Sequence, residues 1–396
     1  MSMANNVKTL SDMTTGVVVA NRAGRHAELA HDLPTRSLRA HLSRLPEPAP
    51  AVVEPPLIET DTAPGFSALR QIPVRRGPIA GIAVDPRDGL VYTTNPTDNS
   101  VSVLDPVALH VRTTILGFDE ASAVAAANGR AFVATVSLSH DAVTTVDPAA
   151  VEAGADHPLA SSVAGVAVDA AGRYVYVARS GRDGADVAII DTADGRVRTL
   201  ELGTRAGAAA TALTLSPDGA RVYVVTVDDL GGELVAIDTA TRRIVGGLAF
   251  PAPLRAVAAG PDGVVYVATC DLSFGGVIDV VDARTMRVVS SIDVGGLVTD
   301  LVAGAAGDRL YVAGVDRVSV VCVATQEIID TVTIVDQPSC LAESADGKKL
   351  FIADYDGAVT ALTIASSTES LLARMMTADS DAVLDIPMLE LESAGI

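Results

Sequence analysis

The sequence predicts an all-β fold: a seven-bladed β-propeller of four-stranded antiparallel blades, its last blade closed by an N-terminal strand at about residues 68–74. Three observations lead there. An aromatic residue heading a short run of small and β-branched residues recurs seven times, at Tyr92–Asn95, Phe132–Thr135, Tyr176–Arg179, Tyr223–Thr226, Tyr266–Thr269, Tyr311–Gly314 and Phe351–Asp354. Successive aromatics stand 40 to 47 residues apart, the length of one four-stranded blade. Between them lie apolar segments that end in aspartate, at Asp105, Asp147, Asp191, Asp238 and Asp282.

Each copy reads as four short strands. The first is small and apolar, as in Gly81–Val84 and Gly165–Val168. A tight turn follows, at 85–89, 216–219 or 260–263, in which Pro presets φ and Gly accepts a positive φ. The second strand carries the aromatic, whose recurrence is that of a blade-packing residue. A polar loop leads to the third strand, and its terminal Asp fixes the turn into the fourth. The fourth strand is β-branched, as in Val111–Leu116, Val288–Val294 and Ile328–Val335. Copies six and seven lack the terminal Asp, with other residues around Val323 and Ala324 and around Ile364.

Copy seven supplies three strands, Ser339–Ala342, Lys349–Asp354 and Ala358–Ile364, while Ser366–Met376 is not strand-like. Ala68–Val74 matches a fourth strand and precedes copy one, so it is expected to complete the last blade and remove an open sheet edge. The propeller then spans 66–365. Residues 1–65 form an extension in which Leu38, Leu42 and Leu45 share one helical face, followed by a linker containing Pro46, Pro48, Pro50, Pro55, Pro56 and Pro64. Residues 366–396 form an acidic tail with Leu371, Leu372, Met375 and Met376 near its start. These tails dock on the ring, bind a partner or stay mobile, and they are the segments through which an otherwise monomeric ring would assemble.

The pairing of a Tyr-Val segment with a β-branched segment ending in Asp, as in Tyr176–Arg179 with Val187–Asp191, resembles the YVTN-repeat seven-bladed β-propeller family of bacteria. The absence of Trp separates the chain from Trp-Asp (WD40) repeats, whose blades have the same four-stranded, WD40-like plan. The resemblance covers about 300 residues and implies the fold. It also permits a lactonase-like hydrolase that opens sugar lactones, while a rigid ring with variable loops and no catalytic set suits a non-catalytic binding scaffold.

Composition narrows the choice. The 396 residues carry a net charge of −20, with 49% apolar and 3% aromatic residues. Mean hydropathy is +0.36, yet no apolar run of about 18 residues is present, so no membrane-spanning helix is expected. Three cysteines, Cys270, Cys322 and Cys340, do not make a disulfide framework. Residues 1–45 hold six basic and three acidic side chains, so the remainder is more acidic than the whole. That balance opposes a nucleic-acid partner, because phosphate binding needs a basic face. The start of the sequence lacks a secretory apolar core, which makes the cytoplasm the default location and leaves non-classical export open.

No common catalytic or cofactor motif occurs, and neither a cofactor nor a metal is predicted. The mouth of the central channel is the expected site. Counting back from the first turn of each copy places Ala80, Ala123, Ala164, Thr211, Arg255, Asp300 and Cys340 at the start of the first strands. Arg255, Asp300 and Cys340, with Thr211, are the ligand-binding candidates, and Asp271, Asp316 and Asp354 the rim candidates. Arg255 would hold a carboxylate or phosphate in fork geometry, and Asp300 would act as a base or cation ligand. The plainer reading pairs Arg255 with Asp300 across neighbouring blades, makes Cys340 a small buried hydrophobe, and leaves the loop aspartates as turn formers. The expected function is therefore a binding scaffold for a small molecule or protein partner, with a lactonase-like hydrolase as the alternative.

Overall fold

The structure, a computed structural model, describes residues 66–365 apart from 138–139, 150–152, 161, 182, 272–274 and 334–336. The expected extensions at 1–65 and 366–396 lie outside the described residues.

Seven sheets of four antiparallel strands are formed. Their first strands are Gly81–Val84, Ala121–Ala127, Ser162–Val168, Ala209–Leu215, Leu254–Ala259, Val298–Ala303 and Pro338–Glu343. Each packs on the first strand of the next blade, and the seventh packs on the first, so the strands surround one axis.

The cores lie in the seams between blades. Tyr176 and Ile189 of blade 3 pack with Val222, Val224 and Ile237 of blade 4. Tyr223 and Leu234 of blade 4 pack with Val257, Val265 and Val281 of blade 5. The aromatic series fills these seams: Tyr92, Phe132 and Phe351 are wholly buried. Period-two alternation explains why one strand serves two seams, since neighbouring residues point to opposite faces of the blade.

Closure follows the sequence expectation. Phe66–Pro73 pairs antiparallel with Ala358–Ile364, matching Leu69 with Leu362 and Ile72 with Val359. The strand begins two residues earlier than Ala68. The amides of Val74 and Arg75 both donate to the Gly357 carbonyl at 3.0 Å, which continues the clasp past the strand.

The terminal aspartates of the third strands lock the turn that follows. Asp105 accepts the amides of Val107 and Ala108, each at 2.8 Å. Asp282 accepts the Arg284 amide at 2.8 Å, and Asp238 accepts both the amide and the hydroxyl of Thr241. These donors hold the carboxyls of Asp105, Asp238 and Asp282 below the usual carboxylate range. Tyr174 pairs with Asp191 in blade 3; the matching partners in blades 6 and 7 are Cys322, opposite Arg309, and Thr363, opposite Lys349. The missing Asp thus falls one residue before Val323 and Ile364.

Candidate functional site

Each first strand from blade 2 to blade 7 contains a one-residue bulge near its start. The extra residues are Ser122, Ala164, Thr211, Arg255, Thr299 and Ser339. In blade 1 the Ala80 amide donates to the Thr94 carbonyl just before the strand, which gives Ala80 the same place. A bulge leaves its extra residue out of the ladder and re-aims its side chain. Strands alternate in direction, so these starts share one end of the ring with the hairpins between second and third strands.

The bulges correct the sequence alignment. Ala80, Ala164, Thr211 and Arg255 are equivalent, but Ala123, Asp300 and Cys340 lie one residue further on, in the series Gly81, Ala123, Gly165, Ala212, Ala256, Asp300 and Cys340. A one-residue offset turns a side chain to the other face of its strand. The ring of bulged residues therefore carries four hydroxyls, one guanidinium and two methyl groups. Ser122, Thr299 and Ser339 were hidden from the sequence because an extra residue inside a strand leaves no mark in composition or period.

The two threonine hydroxyls knit neighbouring blades. Thr211 Oγ1 lies 3.3 Å from the Val225 carbonyl and 3.2 Å from the Leu254 carbonyl of the next blade. Thr299 Oγ1 donates to the Pro338 carbonyl of blade 7 at 3.3 Å. Arg255 is exposed and makes no hydrogen bond or ion pair among the described residues.

Asp300 faces the seam between blades 6 and 7. Its carboxylate accepts the Leu341 amide of blade 7 at 2.8 Å and the adjacent Leu301 amide at 2.8 Å. The group is partly buried, and desolvation pushes its pKa up to about 6, against the pull of the Leu341 and Leu301 amides. In the matching slot of blade 1, a Cβ on Gly81 would meet the Val124 amide at 3.2 Å. Asp300 thus reaches an amide that blades 1 to 5 leave beside a glycine or alanine. Cys340 is buried beside it, and burial, followed by the Asp300 charge, raises its thiol. Asp300 and Cys340 stand together, with the exposed Tyr355 of the blade 7 hairpin close enough for both to raise its phenol, after burial. Asp300 forms no ion pair with Arg255 among the described residues.

The three rim candidates differ. Asp316 is exposed and accepts from Arg317 Nε at 3.0 Å. It edges a cavity of about 320 Å³ walled by Leu297, Val298, Val312 and Val315. Asp354 is buried, not at an open rim, and accepts the Ala358 amide at 2.8 Å across its hairpin. The Asp271 side chain lies outside the described residues. Among the described residues no group of three or more His, Cys, Asp or Glu side chains is placed to hold a metal ion. Nor is any helix among them long and apolar enough to cross a membrane.

Seven closed blades, joined by a clasp between the two ends of the domain and bearing a polar ring at one end of the axis, define the seven-bladed β-propeller class. The comparisons agree: the chain is 38% identical over 357 residues to the seven-bladed β-propeller protein Rv1057 of Mycobacterium tuberculosis, covering 80% of this chain and 90% of that one. It belongs to that family of seven-bladed β-propeller proteins. A seven-bladed β-propeller protein of Mycolicibacterium smegmatis is 41% identical over 69 residues, 17% of this chain and 19% of its own. Among solved structures, hydrazine synthase of Kuenenia stuttgartiensis superposes with a TM-score of 0.66 at 19% identity, over 73% of this chain and 96% of that one. That likeness is one of fold. No family model matches the chain.

Proposed function

We propose that the protein is a non-catalytic binding propeller of the YVTN type, which recognises an anionic small molecule or the acidic side chain of a protein partner at the channel end where Arg255 stands. One observation carries this reading: in a ring of seven equivalent positions, the single charged side chain is exposed and has no partner among the described residues. A guanidinium left in that state offers two parallel N–H donors to a carboxylate or phosphate. The surrounding hydroxyls of Thr211 and Thr299 already serve the backbone of neighbouring blades, so they shape the wall and leave Arg255 to bind.

A lactonase-like reading draws support from Asp300, whose partly open carboxyl with a pKa of about 6 suits proton transfer near neutral pH. Both of its oxygens already accept amide hydrogens, which favours the binding reading. Free thiols at Cys322 and Cys340 fit a reducing compartment.

The test is a thermal-shift screen of the full chain against organic acids, sugar phosphates, lactones and metals, with Arg255→Ala beside it. A ligand that binds only the folded ring raises its melting point by mass action. The proposal expects an anionic hit that Arg255→Ala loses. Hits that the variant keeps would remove Arg255 from the site, and lactone turnover abolished by Asp300→Asn would replace the binding reading with the hydrolase.

A further inference from the structure

A second cationic feature lies at the opposite end of the ring, in the seam between blades 3 and 4. The turn joining third and fourth strands has one left-handed position, occupied in turn by Leu109, Gly195, Arg242, Met286 and Gln326. Where that residue is apolar it seals the neighbouring seam. Leu109 packs on the core between blades 7 and 1, and Met286 on the core between blades 4 and 5, directly over Gly246. Arg242 breaks the rule. Its guanidinium stands 5.1 Å from the ring centroid of Tyr174, and that of Arg173 stands 5.2 Å from the same centroid.

The strand register supplies the rest. Tyr174, Asp191 and Arg196 form one row across blade 3, and Tyr176, Ile189 and Arg198 form the next row on the same face. Arg198 holds the place that Gly246 holds in blade 4, the glycine covered by Met286. Two apolar-compatible positions of the repeat have therefore both become arginine at one seam. Between them lies an open cavity of about 120 Å³, lined by Tyr174, Arg196, Arg198 and Arg242 together with the carboxylates of Asp191 and Asp194. Arg173 is paired with Asp191 at 3.3 Å and Arg196 with Asp194 at 3.3 Å. Arg198 and Arg242 form no ion pair among the described residues. The cluster thus holds four guanidinium groups against two carboxylates in a chain whose net charge is −20.

We propose that this cleft is a second binding site, distinct from the channel mouth, which takes the phosphate group of a small phosphate compound. Arg198 and Arg242 grip the phosphate oxygens from the two blades, and Tyr174, whose ring both Arg173 and Arg242 approach, lines the cleft. Two arginines on different blades converge on one anion, so each fork contributes and neither suffices alone. Without an anion, two like charges face each other across a seam that is packed with apolar side chains elsewhere in the ring.

The experiment is titration calorimetry of the full chain at low ionic strength with inorganic phosphate and, separately, with glucose 6-phosphate. The titrations are made in an Arg255→Ala background, which removes the guanidinium at the channel mouth; phosphate should still bind the cleft, which separates this site from the channel mouth. Arg198→Gln and Arg242→Gln should each weaken binding by about tenfold or more, as loss of a charge-assisted hydrogen bond does. Arg198→Lys, which keeps the charge and loses the fork, should fall between. Preference for the sugar phosphate would identify an ester as the ligand, and preference for the free ion would identify phosphate itself. Circular dichroism confirms that each variant is folded. Absence of binding up to about 10 mM, or binding retained by a folded Arg198→Gln/Arg242→Gln double variant, would overturn the proposal.

Discussion

Replacing Asp300 by Asn should change how stability depends on pH. The Asp300 carboxyl titrates at about 6 in the folded chain against an ordinary value of 3.8. At about 1.4 kcal/mol per pKa unit, that difference corresponds to about 3 kcal/mol. Because the group is only partly buried, solvent reduces the figure to about 2 kcal/mol. The folded state holds this proton more tightly than the unfolded state. Its contribution to stability is therefore full below pH 3.8 and is lost as pH rises through about 6. Asn has no proton to lose. Its carbonyl keeps one of the two amide bonds, to Leu341 or Leu301, and loses the other, at a cost of about 1 kcal/mol. The variant should be about 1 kcal/mol less stable than wild type at low pH and about 1 kcal/mol more stable at neutral pH. Urea denaturation at a series of pH values measures both proteins. The depressed carboxyls at Asp105, Asp218 and Asp346 act in the opposite direction but cancel in the difference. A difference curve that stays flat across this range would refute the argument that Asp300 is held as a costly carboxylate in the seam.

Other expectations follow from the same packing. Ile72→Ala, in the closing strand at 1% exposure, should cost about 2–5 kcal/mol by chemical denaturation; a cost below 1 kcal/mol would mean that the clasp bears little load. Arg179 Nε donates to Asp186 at 2.6 Å with both side chains nearly buried, so Arg179→Ala should destabilise by about 3–5 kcal/mol. The Asp186→Asn/Arg179→Met double variant should recover part of that loss. In a Cys270→Ser background, iodoacetamide should modify Cys322 before Cys340, followed by mass spectrometry. Hydrogen bonds from Thr325 lower the Cys322 thiol, whereas burial raises that of Cys340. Equal rates in the folded protein would contradict this.

The repeat was legible because a propeller writes its plan along the chain. The aromatic at each second strand marks the seam, the terminal Asp marks a turn, and Ala68–Val74 is visible as a fourth strand without three companions. Each signal is local and recurs. The channel ring was less legible. Arg255 and Thr211 were located, but Thr299 and Ser339 were passed over for Asp300 and Cys340, because bulge position is set by pairing with the second strand. Nothing in the sequence marks the place of Cys322; only the register shows that it stands where other blades carry the turn-locking Asp. The cluster around Tyr174 was invisible for a different reason. Arg198 and Arg242 lie on separate blades, and their meeting depends on how two sheets face each other.

The closing strand gives the domain an unusual order of assembly. Phe66–Pro73 leaves the ribosome before any blade, yet its partner Ala358–Ile364 is made last, about 300 residues later. Bringing such distant segments together adds only about 0.6 kcal/mol for each doubling of separation, so the delay costs little stability. It does cost time, since six blades are complete before the seventh has an edge to fill. The ring is therefore closed at one known joint, this strand pairing. Residues 1–65 are the covalent continuation of the strand that makes this joint. Tension applied through them acts first on the pairing between Phe66–Pro73 and Ala358–Ile364, so the ring would begin to open at that joint.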